Sequence, residues 1–156
     1  MIAIVTTYTL LLAFHIFAAV VWVGGALMLN LLALLALRSK LHGRKAEFAH
    51  EAEVVGMRLF APTSLVLLGL GFWLIHEGHW SYDLWIVLAL IGFALSFVTG
   101  IAFLGPESKR IANAIESQGP ESPEVASRID RVLLVSRVEL LILVLLVFDM
   151  VLKPGT

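Results

Sequence analysis

The stretch FHIFAAVVWVGG, residues 14–25, decides the fold because it places one ionisable ring inside a long apolar run. The run extends from Leu10 to Leu37 and is interrupted only by His15 and Asn30. It is longer than the roughly 20 apolar residues that a helix needs to cross the hydrocarbon core of a bilayer. The sequence therefore predicts a membrane-spanning helix over residues 10–37.

The composition indicates one membrane domain. Of the 156 residues, 60% are hydrophobic, and the mean hydropathy of +0.95 excludes an ordinary soluble protein. The formal net charge is −1 and no basic tract is interleaved with aromatic residues, so we expect no nucleic-acid partner. The sequence has no cysteine, which excludes disulfides, thiolate metal sites, iron–sulfur clusters and covalently attached haem.

Three further apolar runs predict membrane spans at about 54–75, 84–104 and 132–152. Pro62 predicts a kink in the second span, and Gly105-Pro106 predicts the end of the third. The polar segment 107–131 contains Gly119, Pro120 and Pro123 and is interpreted as two short surface helices. The sequence therefore predicts an all-α fold, an antiparallel four-helix transmembrane bundle with up-down-up-down topology.

Lysine and arginine predict the orientation. They concentrate in residues 38–53 and 107–131, whereas the 76–83 turn has none and the C-terminus has one. We therefore expect both termini outside and the 107–131 segment inside.

One face of the first helix carries a histidine together with small and aromatic side chains. On a 3.6-residue period His15 shares this face with Ala18, Ala19, Trp22 and Ala26. Neutral imidazole is a common axial ligand of haem iron, and an ionisable group inside a span suggests a functional site. The alternative is a neutral histidine that donates one hydrogen bond to a neighbouring helix.

A copper site is a second hypothesis for the polar groups of the outer half. His76 and His79 form an H-x2-H pair in the short turn, and Met150 lies at the outer end of the fourth span. Together with His15 these side chains are of the types that bind copper. The alternative for the turn is a solvated loop.

Asn30, Arg137 and Glu139 form a second polar layer in the inner half of the membrane. His15 and Asn30 lie about 22 Å apart along the helix, so one small ligand cannot contact both. This layer is interpreted as polar side chains that fix helix register, with a proton path or inner site as the alternative. Asn30, Ser96 and Thr99 lie at a suitable depth to contact Glu139, whereas Arg137 could reach Glu107 or the inner interface.

Two further spacings concern contacts between side chains. Asp149 and Lys153 lie four residues apart, the spacing of a helical ion pair. Gly92, Ser96 and Gly100 repeat every fourth residue, which lets two helix backbones approach closely. This second pattern predicts a face that meets a partner, either a second copy or a subunit of a membrane complex.

The first helix, with the pattern H-x6-W-x-G-G, resembles that of small four-span bacterial proteins of unknown function, described as predicted integral membrane proteins. It is also similar to the first helix of the copper-resistance D domain and of the haem-dependent protoporphyrinogen oxidase membrane family. The resemblance to the first group covers nearly the whole chain and includes four later segments: Gly78-His79-Trp80-Ser81, Leu104-Gly105-Pro106, Arg137-Val138-Glu139 and the closing 150–155. The resemblance implies a site beside His15 for haem b. The cytoplasmic membrane of a prokaryote is the location that the resemblance of the chain to these proteins implies.

Three functions remain open from the sequence. The first is a haem-binding protein of electron transfer or haem metabolism, with His15 as axial ligand, Trp22 against the macrocycle, and Ala18, Ala19 and Ala26 leaving room for it. The second is a copper-handling protein. The third is a cofactor-free structural or assembly subunit in the lipid bilayer. No arrangement of residues predicts a catalytic acid, base or nucleophile.

Overall fold

A computed structural model describes residues 6–39 and 44–155, and all of its regular structure is helical. Six α-helices and two π-helical turns follow one another along the chain. They are α1 (Thr7–Arg38), α2 (Arg44–Val55), a π-turn (Gly56–Phe60), α3 (Ala61–Glu77), α4 (Leu84–Thr99), a second π-turn (Gly100–Leu104), α5 (Gly105–Gln118) and α6 (Pro123–Leu152). Because each π-turn joins its neighbours without a break, the chain forms four long helices, α1, α2–α3, α4–α5 and α6.

The helix α4–α5 runs through Gly105-Pro106, so the prediction that this dipeptide ends the helix is wrong. The amide of Gly105 donates to the carbonyl of Gly100, five residues back, and this longer bond opens the turn before the proline. Proline normally breaks a helix because it has no N–H and clashes with the carbonyl four residues back. The π-turn widens the backbone at that point and lets the helix continue.

The same arrangement occurs at Pro62 in α2–α3. There the amide of Ala61 donates to the carbonyl of Gly56 across the π-turn Gly56–Phe60. Both sites have the pattern glycine, four residues, a small residue, then proline, at residues 56–62 and 100–106. The second and third long helices, α2–α3 and α4–α5, therefore each contain a π-turn directly before a proline.

The polar segment 107–131 does not form two separate surface helices, contrary to the sequence prediction. Its first part belongs to α5, which continues α4 without a break, and its second part forms the first turns of α6. Gly119 reverses the chain between them with a φ of 86°, a left-handed conformation that favours glycine. Ser122 then caps α6 by accepting a hydrogen bond from the amide of Val125.

Two clusters of buried apolar side chains hold the helices together. In the membrane part, α1 packs on α3 and α6 packs on α4, with Ala18, Trp22, Leu67 and Leu143 at the centre. A second cluster joins α2, α5 and the start of α6 and consists of Ala49, Ile111, Ala114, Ile115 and Val125. We call this second region the basic end, because α2, α5 and the first turns of α6 carry six of the eleven arginine and lysine residues of the sequence.

The outer surface of the helices is strongly apolar. Phe17, Val20 and Leu145 are 67%, 62% and 57% exposed, as expected for side chains that face lipid tails. Three helices of the described chain are long and apolar enough to cross a membrane: Thr7–Arg38, Glu47–Glu77 and Leu84–Gln118. In α6, the apolar part also contains Arg137, Glu139 and Asp149.

Candidate functional site

A chamber lies between the four long helices, in the half of the bundle nearer the basic end. It is a cleft of about 160 Å³, partly open to the outside of the bundle, and residues from all four helices and both π-turns line it. Its walls are mainly apolar and include Trp22, Phe48, Phe60, Phe97 and Leu104. Six polar side chains also line it: Asn30, Ser64, Ser96, Ser108, Ser136 and Glu139. We call this space the central chamber.

Three of the polar side chains already have hydrogen-bond partners. Asn30 donates from Nδ2 to the carbonyl of Ala26 at 3.0 Å and accepts from the Ser136 hydroxyl at 3.0 Å. Ser64 donates to the carbonyl of Ala61 at 2.8 Å. These bonds tie α1 to α6 and satisfy their own groups, so they serve the packing of the helices.

Ser96 and Glu139 differ from these three. Ser96 is 1% exposed, and its hydroxyl has no hydrogen-bond partner within residues 6–39 and 44–155. Glu139 has no ion pair and no hydrogen bond to any other side chain in the described part of the chain. Buried polar groups are normally paired, so the unpartnered hydroxyl of Ser96, with the half-buried carboxylate of Glu139 in the same chamber, suggests a site for a ligand.

The two π-turns form part of the chamber wall. Met57 and Ile101 line it. In an α-helix the amides of Ala61 and Gly105 would donate to the carbonyls of Met57 and Ile101. Here these amides donate to the carbonyls of Gly56 and Gly100 instead. Helices interrupted by glycine and proline at corresponding positions often mark a binding site in membrane proteins, because the interruption leaves carbonyls available. The sequence contains this signal as the repeated glycine-to-proline spacing.

His15 lies outside the chamber, about 10 Å along α1 from Trp22. Its imidazole is partly buried against α3, where a Cβ atom added to Gly71 would lie 3.3 Å from Cε1. Nδ1 is buried and makes no hydrogen bond to a described residue. The helices α1 and α3 are therefore in close contact at the histidine.

The other residues of the predicted haem face lie in the core of the bundle. Ala18 and Trp22 are each 6% exposed, and the Trp22 ring packs on Phe93 with centroids 5.3 Å apart. Ala19 packs against the same cluster, and Ala26 lines the central chamber. This face thus contacts neighbouring helices along its length.

The predicted copper ligands lie at the end opposite the basic end. His76 and His79 are exposed, and Met150 is 37% exposed. Across the described ranges, no three histidine, aspartate or glutamate side chains come together in a way that could hold a metal ion. At this end the ammonium of Lys153 lies 4.3 Å from the ring centroid of Trp80 and 5.1 Å from that of Trp85. One carboxylate oxygen of Asp149 is buried there without a hydrogen bond to the residues described.

Arg137, the third member of the predicted polar layer, does not line the chamber and is exposed on α6. Nor is it the arginine that contacts Glu107. That carboxylate, 3% exposed, accepts hydrogen bonds from Arg110 on the next turn of α5 and from Arg128 on α6. The structure therefore separates Arg137 from both Glu107 and the Asn30–Glu139 region.

Glu107 lies in the polar helix α5, beyond the apolar part of α4. Burial by itself would raise its pKa, but the hydrogen bonds from Arg128 and Arg110 outweigh burial and hold the pKa below its ordinary value. Arg128 also bonds Glu124, whose pKa is lowered first by the hydrogen bond from Gln118 and then by Arg128. The basic end is therefore held by a network of paired charges.

The face that carries Gly92, Ser96 and Gly100 points into the bundle. A Cβ atom at Gly92 would lie 2.5 Å from Leu146 Cδ2 on α6, and Gly100 lines the central chamber. The small residues therefore let α4 approach α6 of the same chain. A partner subunit could reach this face only after displacing α6.

Comparison with protein-family models matches residues 9–154 to the family described as "Predicted integral membrane protein (DUF2269)". The chain belongs to this family, and the predicted resemblance to membrane proteins of unknown function is confirmed. The match gives no support for the similarity to the copper-resistance D domain or to the haem-dependent oxidase family. No curated protein and no solved structure matches the chain.

Proposed function

We propose that this member of the DUF2269 family is a four-helix transmembrane bundle that binds a small, mostly apolar molecule in the central chamber. In this proposal α6 is the fourth span, and the basic end lies on the cytoplasmic side. The grouping of arginine and lysine at one end supports this orientation. The close packing of α6 on α4 supports a fourth span, because α4 belongs to a candidate membrane span and α6 lies beside it.

The observation that carries the proposal is a chamber with apolar walls and open polar groups. Ligand sites in proteins are typically apolar pockets with a few polar groups that orient the ligand. Here the walls supply the apolar surface, while Ser96 and Glu139 supply the polar groups. This arrangement favours a binding site, because helix packing alone does not explain a carboxylate without a hydrogen-bond partner among the described side chains.

The volume limits the size of the ligand. An apolar cavity of roughly 150 Å³ in another protein binds benzene. The central chamber, at about 160 Å³, is of similar size. We therefore propose a ligand with one ring or a short chain and a single polar group.

Haem does not fit the residues that the sequence predicted for it. A flat macrocycle beside His15 would need open space between α1 and α3, where Gly71 and the imidazole are in close contact. Ala18 and Trp22 are covered by Leu67 and Leu143. We therefore propose no haem chemistry on this face, and copper binding by His76, His79 and Met150 stays a prediction.

The proposal is tested by measuring whether a small ring compound binds in the chamber and whether a larger side chain in the chamber prevents this binding. Benzyl alcohol serves as the probe, and binding is followed by tryptophan fluorescence and thermal unfolding of the protein in a non-ionic detergent, because Trp22 lines the chamber. We expect saturable binding to the wild type and none to Ala26→Leu, whose added methyl groups occupy the chamber. The control is Ala94→Leu, the same substitution at an exposed position of α4, which should bind like the wild type. Absence of saturable binding to the wild type would refute the proposal.

A further inference from the structure

We infer that the ligand of the central chamber is a cation, a small organic amine whose ammonium group pairs with Glu139. This inference rests on the proposed function and adds the charge of the ligand. It starts from the charges of the chamber wall.

Glu139 is the one charged side chain among the described residues that line the chamber. Two basic residues of the lining elements, Arg58 on the first π-turn and Arg137 on α6, are both exposed and outside the lining. Lys45 lines a smaller neighbouring cavity of about 60 Å³, and its ammonium is bonded to Glu121 at 3.1 Å. Within residues 6–39 and 44–155, the carboxylate of Glu139 therefore lines the chamber without a basic side chain paired to it.

The remaining groups of the chamber also suit a cation. Ser96 offers a hydroxyl oxygen. The π-turns offer the carbonyls of Met57 and Ile101, because the amides that would bond them in an α-helix donate to other carbonyls. These oxygens are acceptors, and an ammonium group carries up to three donors. Trp22 and Phe97 also line the chamber, and aromatic rings attract a positive charge placed over them.

An amine with an apolar body fits better than a bare metal ion. Hard cations such as calcium take six or more oxygen ligands. The amide oxygen of Asn30 and the hydroxyls of Ser64 and Ser136 are already engaged in hydrogen bonds within the protein. A small ion would fill little of the chamber and would not contact its apolar walls, whereas the ring of an organic amine would contact them.

The experiment compares two probes of nearly equal shape, benzylamine and benzyl alcohol, at neutral pH in a non-ionic detergent. We expect the wild type to bind benzylamine about tenfold more tightly, which corresponds to about 1.4 kcal/mol. In Glu139→Gln, the affinity for benzylamine should fall to the affinity of the same variant for benzyl alcohol, so that the preference of about tenfold is lost. Glu139→Asp retains the charge and should retain the preference for the amine.

The matched control is Glu116→Gln, which removes an exposed carboxylate on α5 and should leave the preference unchanged. Equal affinity of the wild type for the two probes would overturn the inference while leaving the proposed function in place. A preference that persists in Glu139→Gln would also overturn it. If neither probe binds the wild type, the proposed function fails as well. The wild-type comparison decides even if a variant does not fold.

Discussion

The basic end and the central chamber each contain one carboxylate turned toward the interior of the bundle, yet the two environments differ. At the basic end, Glu107 accepts hydrogen bonds from Arg110 and Arg128 and is almost fully buried. In the chamber, Glu139 faces a space with apolar walls and no basic side chain among the described lining residues. Burial of an acidic group is tolerated in the first case because the charge is compensated within the protein.

This difference separates a carboxylate that links two helices from one that we propose binds a ligand. Removing Glu107 leaves Arg110 without its partner on α5 and breaks the Arg128 contact that joins α6 to α5. Among the described residues, Arg128 then keeps only Glu124 on its own helix. Removing Glu139 breaks no hydrogen bond or ion pair with another described side chain. The comparison therefore predicts that substitutions at Glu107 act on stability, whereas substitutions at Glu139 act on ligand binding.

The largest expected effect is that of Glu107→Gln. It removes a buried charge and weakens hydrogen bonds to two arginines, so we expect the free energy of unfolding to fall by about 3 kcal/mol. Denaturant or thermal unfolding in detergent measures this. Glu116→Gln, an exposed carboxylate on the same helix, should change it by less than about 0.5 kcal/mol. Similar effects of the two substitutions would remove the distinction between the basic end and the exposed surface.

The pH dependence sharpens the same comparison. The pKa of Glu107 is lowered in the folded protein, so its contribution to stability is present in full above its ordinary value of 4.5. That contribution is lost as the pH falls below 4.5 and Glu107 becomes protonated in the folded state. We therefore expect the stability difference between the wild type and Glu107→Gln to shrink as the pH falls below about 5. A difference that stays constant as the pH falls would contradict the role given to the arginines.

The smallest effects concern the hydroxyls of the chamber. Ser136→Ala removes the hydrogen bond to Asn30 and should cost about 1 kcal/mol of stability. Ser96→Ala removes a buried hydroxyl that has no partner among the described residues, so it should be neutral or slightly stabilising. Thermal unfolding of the two variants side by side tests this. A larger loss for Ser96→Ala would mean that its hydroxyl already has a partner in the ligand-free protein.

The sequence predicted more of the fold than of the site. Long apolar runs identify the helices, because a helix in lipid must hide its own polar backbone and expose apolar side chains. The predicted helix end at Gly105-Pro106 was wrong. The helix continues because the amide of Gly105 donates to the carbonyl of Gly100, five residues back, and the presence of a proline does not predict this change of hydrogen bonding. A repeated pattern at residues 56–62 and 100–106 was the available signal for both π-turns.

The site shows a sharper limit. His15 drew the functional hypotheses because an ionisable ring inside an apolar run is conspicuous along the chain. The structure places that ring against Gly71 and leaves its face inside the packed bundle. Glu139 and Ser96, by contrast, are far apart in sequence and meet in one chamber only when α4 and α6 pack together.

The sequence by itself determined that this chain is helical, apolar and suited to a membrane, since these properties follow from residue type and period. It also determined that polar groups such as Asn30 and Glu139 lie inside apolar stretches. Only the tertiary structure decided which of those groups have partners. Glu107 and Glu139 are the same residue type, and the difference between them is the presence or absence of an arginine from a distant part of the chain.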